Sequence, residues 1–381
     1  MPPVDRGLHV DAVATSLAGS RIHPADYQPP WWLRNPHVQS TLASSPMRRN
    51  LGARAIAATG AESTAHIVDG GDGVRLNGSH SVVPGREPRG LALLLHGWEG
   101  STESSYMRLT AATLLARGFD VFRLNFRDHG DSHHLNEALF HSNRIDEVVQ
   151  AACDIAHRFL PARSDGTPCP LVAAGYSLGG NFALRLGLRA PAAGLPLLHV
   201  AAVCPVLDPA RTMAVMESGL ALYHRYFQHK WTRSLRRKRE LFPQRNVFDD
   251  RTLALGMRGL TRWLVEQYTD FENLDGYFDG YAILGDRLSK LTTPASLLTS
   301  ADDPIIPVDD FRALRLPDSV TLDIAAHGGH CGFLENLRCD GFGERWVAEH
   351  LDAAVTHAGA GHDVAVPAFA ASVAPSAPIP G

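Results

Sequence analysis

The 381-residue chain contains no apolar run long enough to cross a bilayer. Its longest, Leu195 to Leu207, is interrupted by His199, whereas a spanning helix needs about 20 apolar residues. The opening residues, Met1-Pro2-Pro3-Val4-Asp5-Arg6, lack a basic segment leading into an apolar one, so no signal peptide is expected. There is no basic excess either. Lys and Arg total 36 against 40 Asp and Glu, a formal charge of −4, which gives no footprint for nucleic acid. Cysteine is scarce: Cys153, Cys169, Cys204, Cys331 and Cys339. The odd count and the lack of a C-x-x-C pair speak against a disulfide framework or a structural zinc site. A cytoplasmic protein follows as the expectation.

What is present is an ordinary globular composition, 45% hydrophobic and 20% charged. The length suits one large α/β domain with an inserted subdomain, or two domains. Residues 1–60 read as an N-terminal arm, since Pro24, Pro29, Pro30 and Pro36 rule out a long helix there. Trp31-Trp32-Leu33 is its most apolar point and is expected to anchor it. Residues 61–207 read as the first part of a core. Strands are predicted at Thr64 to Asp69, Val74 to Val82, Leu91 to Leu95, Phe119 to Asn125 and Leu197 to Val206. Helices are predicted at Glu103 to Arg117 and Arg144 to Phe159. This alternation implies a mostly parallel sheet with right-handed crossovers.

The alternation stops at residues 208–290, which read as a helical cap or lid. Leu220, Tyr223, Phe227, Trp231 and Leu235 form an apolar stripe there, with Lys230, Arg233, Arg236, Arg237, Lys238 and Arg239 mostly facing elsewhere. The run Arg233 to Arg239 could dock an anionic head group or membrane surface, giving peripheral contact. A solvated helix face is preferred. Residues 291–355 resume the core, with a strand at Ala295 to Ser300, a short helix at Asp309 to Leu314, a strand at Ser319 to Ala325 and a helix from Leu337 to His350. The Ala/Pro-rich residues 356–381 are expected to lack fixed structure.

The chain is organised around Gly175-Tyr176-Ser177-Leu178-Gly179-Gly180. A strand-forming run leads in and a helix-forming run leads out, as a nucleophile elbow requires. A serine hydroxyl needs a base, and the base needs a carboxylate to fix its tautomer. Two aspartates compete in Ala301-Asp302-Asp303-Pro304. Asp303, four before Pro307, is preferred, with Asp302 as a loop-fixing residue. Two histidines compete in His327-Gly328-Gly329-His330-Cys331. His330 is preferred because the glycines before it allow a tight turn. Cys331 has no elbow and reads as a small packing residue. The oxyanion donors are expected to be the backbone N–H groups of Leu178 and of Trp98, in His96-Gly97-Trp98. His129, His133, His134 and His141, with Asp128 and Asp131, invite a metal reading. Their spacing lacks metal-ligand logic, so loop hydrogen bonding is preferred, with no metal and no cofactor.

Together HGWEGS, NFRDHGDS, GYSLGGN, ADDPIIP and GGHCGF resemble the α/β-hydrolase superfamily. With the arm sequence PPWWLRNPHVQS, they resemble the YheT-like branch related to abhydrolase-domain esterases and lipases, over residues 25–350. The resemblance implies an α/β-hydrolase fold with Ser177 as nucleophile, His330 as base and Asp303 as orienting acid. It also implies hydrolysis of acyl or lipid esters. Acyl transfer or thioester hydrolysis on the same residues, and a non-catalytic binding protein, are the alternatives. Asp128-His129 stands where many relatives carry Gly-Cys or Gly-His. The oligomeric state is not readable.

Overall fold

The computed structural model of the chain describes residues 21–360. It opens with a short strand, β1 (Ile22–Pro24), a 3-10 turn at Trp31–Leu33, and helices α1 (Pro36–Ala43) and α2 (Pro46–Ala58). An antiparallel hairpin follows, β2 (Glu62–Asp69) and β3 (Arg75–Val82). Strands and helices then alternate: β4 (Leu91–Leu95), α3 (Ser105–Ala116), β5 (Asp120–Leu124), α4 (Ile145–Phe159), β6 (Leu171–Tyr176), α5 (Leu178–Arg189) and β7 (Leu197–Val203). Five helices intervene: α6 (Pro209–Ser218), α7 (Ala221–Leu241), α8 (Asp250–Leu253), α9 (Met257–Tyr268) and α10 (Leu274–Tyr281). β8 (Ala295–Ser300), α11 (Val308–Arg312), β9 (Val320–Ala325) and α12 (Phe342–Ala360) complete the fold. The strands form one sheet in the order β1-β9-β8-β7-β6-β4-β5-β3-β2, parallel except where β3 meets β2 and β5. This is the α/β-hydrolase architecture: a mostly parallel sheet flanked by helices.

The sheet is covered on both faces, and its strands show why. All five residues of β4 are buried. Side chains alternate across a strand, so Leu91, Leu93 and Leu95 pack with α4 and α5 while Ala92 and Leu94 pack with α3 and α12. A strand buried on both sides has no polar face to show, which makes its sequence a continuous apolar run. Helix α4 carries a single stripe instead. Ile145, Val148, Val149, Ala152 and Ile155 are buried at helical spacing. Asp146 and Glu147 in its first turn, with His157 and Arg158 in its last, complement the helix dipole.

The arm departs from expectation. Of the prolines expected to rule out a long helix, Pro36 opens the short helix α1, and Pro46 likewise opens α2, where a missing N–H costs nothing. Asn35 and Ser45 cap the two helices with side-chain oxygens. The arm also adds β1 to the sheet beside β9. Within Trp31-Trp32-Leu33, Leu33 is buried while Trp31 is 80% exposed, so the anchor is the leucine. Arg48 of α2 is fully buried and pairs with Glu344 of α12 at 2.8 Å.

Three boundaries move furthest. β7 stops at Val203 because Cys204 has φ 44°, outside the extended region. The last helix starts at Phe342, not Leu337. Leu334 bridges Gly341, the intervening turn is held by the Asn336 side chain, and Leu337 is 81% exposed. The same helix runs through Ala360, so 356–360 are helical rather than tail. The rest of that expected tail, 361–381, and the first 20 residues of the arm lie outside the described residues. Among the described residues no helix is long and apolar enough to cross a membrane.

Candidate active site

Ser177 sits between the end of β6 and the start of α5, with φ 55° and ψ −119°. A positive φ in a residue with a Cβ is strained, and the surroundings hold it. Its N–H donates to Val203 O at 2.9 Å, and its carbonyl accepts from Asn181 N at 3.1 Å. The turn depends on two glycines. A Cβ on Gly175 would lie 2.1 Å from Gly179 O, and one on Gly179 would lie 2.3 Å from Leu95 O. Side chains at either position would push the strand and helix apart and turn the hydroxyl away.

Three candidates from distant parts of the chain meet here. Ser177 Oγ lies 2.9 Å from His330 Nε2, and His330 Nδ1 lies 2.9 Å from Asp303 Oδ2. The other Asp303 oxygen accepts from the N–H groups of Ile305 and Ile306 at 2.8 and 2.9 Å. Its carboxylate is fully buried and the His330 ring nearly so. Burial, the largest single influence, would lower the pKa of His330, but the charge and hydrogen bond of Asp303 together with Cys331 outweigh it and raise the group to about 9. Asp302 takes another place. It accepts from Gly329 N at 2.9 Å and faces His327 at 3.4 Å, which fixes the turn that carries His330.

The loop after β4 lies against the elbow. A Cβ on Gly97 would sit 3.3 Å from Ser177 Cβ and 3.2 Å from Tyr176 O. Trp98 and Leu178 border the same cleft as Ser177 and His330. Leu178 opens α5, so its N–H has no carbonyl of its own helix to donate to. His96 supports the loop from below, its Nδ1 2.8 Å from Gly97 O and its Nε2 accepting from Phe126 N at 3.2 Å. Burial lowers its pKa to about 4, so it stays neutral at neutral pH.

The cleft beside Ser177 opens to solvent, and its wall includes Val206, Met213, Met216, Phe227, Trp231 and Leu264. Four of these, Met213, Met216, Phe227 and Trp231, come from α6 and α7. Trp98 stacks on Phe227 at 5.4 Å and meets Trp231 edge-on at 5.4 Å. These contacts bring α7 down over the loop after β4. A second, more polar cleft touches Ser177 from the other side, bordered by Arg49, Glu99, Tyr106 and Lys230. Burial raises Glu99 to about 7 against the pull of Lys230.

The basic run of α7 is only partly a solvated face. Arg233, Arg236 and Arg237 are exposed, but Lys238 is buried, 1% exposed, with Nζ 2.6 Å from Asp128 Oδ1. It also donates to the carbonyls of His133 and Asn136. Lys230 donates to the carbonyl of Glu99. Lys238 lies seven residues after Trp231 and three after Leu235, so it belongs to the buried stripe. Asp128, with φ 59° and 6% exposed, needs the counter-charge. The neighbouring histidines are bound separately: His129 to Arg127 O and Glu99 N, and His133 to Ser234. His141 borders the apolar cleft, and burial, reinforced by Arg144, lowers its pKa to about 3. His134 is exposed.

Two supporting residues were not anticipated. Ser40 of α1 accepts the N–H of His330 at 2.9 Å. Gln39, fully buried, donates to Tyr27 Oη and Leu33 O at 2.7 Å and accepts from Leu334 N at 2.7 Å. The arm thus braces the loop that carries His330. The signal lay in PPWWLRNPHVQS, whose Gln and Ser are polar residues on the inward face of a short helix.

The sequence profile described as "Alpha/beta hydrolase family" matches residues 92–340. The candidate esterase slr0264 of Synechocystis sp. is 23% identical over 336 residues, covering 82% of this chain and 88% of that protein. Phospholipase ABHD3 of Homo sapiens is 23% identical over 285 residues, 71% of this chain and 65% of that protein. Among solved structures, the Pyrococcus furiosus esterase Pf2001 superposes with a TM-score of 0.51 at 16% identity. That superposition covers 79% of this chain and 92% of the other.

Proposed function

The chain belongs to the alpha/beta hydrolase family, and on that premise we propose that it cleaves carboxylic esters through an acyl-enzyme formed on Ser177. The observation that carries this reading is the unbroken hydrogen-bonded line from Ser177 Oγ through His330 to Asp303, both links at 2.9 Å. In the proposed reaction His330 Nε2 takes the hydroxyl proton as Oγ attacks the acyl carbonyl. Asp303 holds Nδ1–H and stabilises the imidazolium. The negative charge of the tetrahedral intermediate develops on the former carbonyl oxygen, which accepts hydrogen bonds from the N–H groups of Leu178 and Trp98. His330 then returns the proton to the leaving alcohol. A water activated by the same ring releases the acid.

The apolar cleft suits an acyl chain, with α6 to α10 acting as the lid over it, and the polar cleft suits the alcohol. The chemistry of the relatives' names, esterase and phospholipase, agrees with this division into an apolar and a polar side. Purified protein offered p-nitrophenyl esters of graded chain length is expected to turn them over. Ser177→Ala is expected to reduce kcat by about 10⁶-fold, as loss of a triad nucleophile does. Unchanged turnover in Ser177→Ala would refute the assignment. Product formation only with an added alcohol acceptor, or only from an acyl-CoA, would redirect it to acyl transfer or thioester hydrolysis.

A further inference from the structure

Beneath the elbow lies a donor cluster whose two thiols the proposed reaction does not use. Cys204 follows the last residue of β7, and Cys331 follows His330. The two sulfurs and a ring nitrogen of His330 all lie within 4.8 Å of one another. Cys331 Sγ lies 3.7 Å from Val203 O, the carbonyl that also accepts the Ser177 N–H. All five cysteines are free thiols. Two thiolates and one imidazole form a soft donor set that suits zinc or cadmium and suits calcium or magnesium poorly. Tetrahedral geometry leaves one position for water or the Ser177 hydroxyl. Ser177, His330 and Cys331 border the polar cleft, and Cys204 lies fully buried behind them.

We propose that Cys204, Cys331 and His330 form a binding site for a thiophilic divalent cation, which shuts the site down while the cation is bound. Asp303 already holds Nδ1 of His330, so Nε2 is the nitrogen left for the metal. A metal-bound imidazole backed by a carboxylate is a common supporting arrangement. Binding replaces the two thiol protons by the cation, and the Nε2 proton as well where His330 is protonated, and releases them to solvent. It takes the Nε2 lone pair that would otherwise accept the Ser177 proton, so metal and substrate turnover exclude each other. The ligand contraction required is modest: zinc–sulfur bonds are about 2.3 Å and zinc–nitrogen bonds about 2.0–2.1 Å. The link to activity rests on the esterase reading, whereas the site itself does not.

The test is a titration of the reduced full-length chain with Cd²⁺, followed by the ultraviolet thiolate-to-cadmium charge-transfer absorption. One equivalent is expected to bind with the intensity of two thiolates, and to protect Cys331, the thiol that borders the cleft, from alkylation as mapped by mass spectrometry. Cys331→Ala and Cys204→Ala are each expected to weaken binding at least tenfold, while Cys153→Ala leaves it unchanged. Should one variant fail to fold, the alkylation map of the unmutated chain decides alone. Protection of other cysteines, or binding equally strong in the folded variants, would overturn the proposal. Ester turnover, normalised to each protein's metal-free rate, is expected to fall with Cd²⁺ in the unmutated chain, recover with a chelator, and resist Cd²⁺ in Cys331→Ala. Cadmium bound by both thiols in a protein without ester turnover would sustain the site and refute the esterase reading. Ester turnover with no cadmium bound would do the reverse.

Discussion

Replacing Lys238 by Met removes one charge from the middle of the molecule and leaves nearly all of its packing. In the native chain the ammonium is 1% exposed and Asp128 is 6% exposed, with 2.6 Å between them. Asp128 retains one other strong donor, Phe140 N at 2.8 Å. Burial holds its carboxyl above the usual range, and Lys238 is the largest influence pulling it back. Without the lysine the carboxylate is buried and uncompensated, a defect that costs about 3–5 kcal/mol. With a urea slope of about 3 kcal/mol per molar, the unfolding midpoint should fall by roughly 1 M or more. The sign of the pH dependence follows from linkage. A carboxyl whose folded pKa is raised destabilises the fold in its charged form, so the deficit is largest at alkaline pH and shrinks as acid protonates Asp128. The double variant Lys238→Met with Asp128→Leu should recover most of the loss, because neither charge is then stranded. Urea denaturation of the three proteins at two pH values measures all of this. A cost under about 1 kcal/mol for Lys238→Met, or no recovery in the double variant, would refute the view that this pair fastens α7 to the loop after β5.

Other consequences are as direct. With His330 raised to about 9, kcat/KM should climb as pH rises through that region and the ring loses its proton. Asp303→Asn should move the midpoint downward, and a midpoint shared by both proteins would contradict the coupling. The stability that His330 gains from Asp303 runs the other way: present below its unfolded pKa near 6.5, it is lost as pH rises through about 9. Asp303→Asn should cost roughly 10⁴-fold in kcat. Asp302→Asn, which disturbs the Gly329 turn and the His327 contact, should cost far less, and steady-state kinetics of the pair reads the difference. Gln39→Leu leaves the Leu334 N–H without a buried acceptor, so a loss of about 1–3 kcal/mol in denaturant stability is expected, with kcat reduced through the His330 loop.

Much of the core was legible because its physics is local. Leu91–Leu95 is apolar throughout since both its faces are covered, and the composition of the elbow follows from the close approach of Gly175 and Gly179. The placement of Asp303 and His330 after the last two strands of the alternation needed only their order in the chain. The arm was harder to read. Pro36 looks like a helix breaker until its position at the start of α1 is known, and a three-residue strand such as β1 has no period to detect. Lys238 was misread because its charge outweighed its spacing, although that spacing put it on the buried stripe. Gln39 and Ser40 act on residues nearly 300 positions away, a relation that no local pattern carries.

The central claim is that Ser177 is the nucleophile. The folded protein should be treated with a fluorophosphonate and the adduct located by peptide mass spectrometry. The expected result is a single stoichiometric adduct on Ser177, absent after unfolding and strongly reduced in His330→Gln. No adduct on the folded protein, or an adduct on Cys331 instead, would contradict the account.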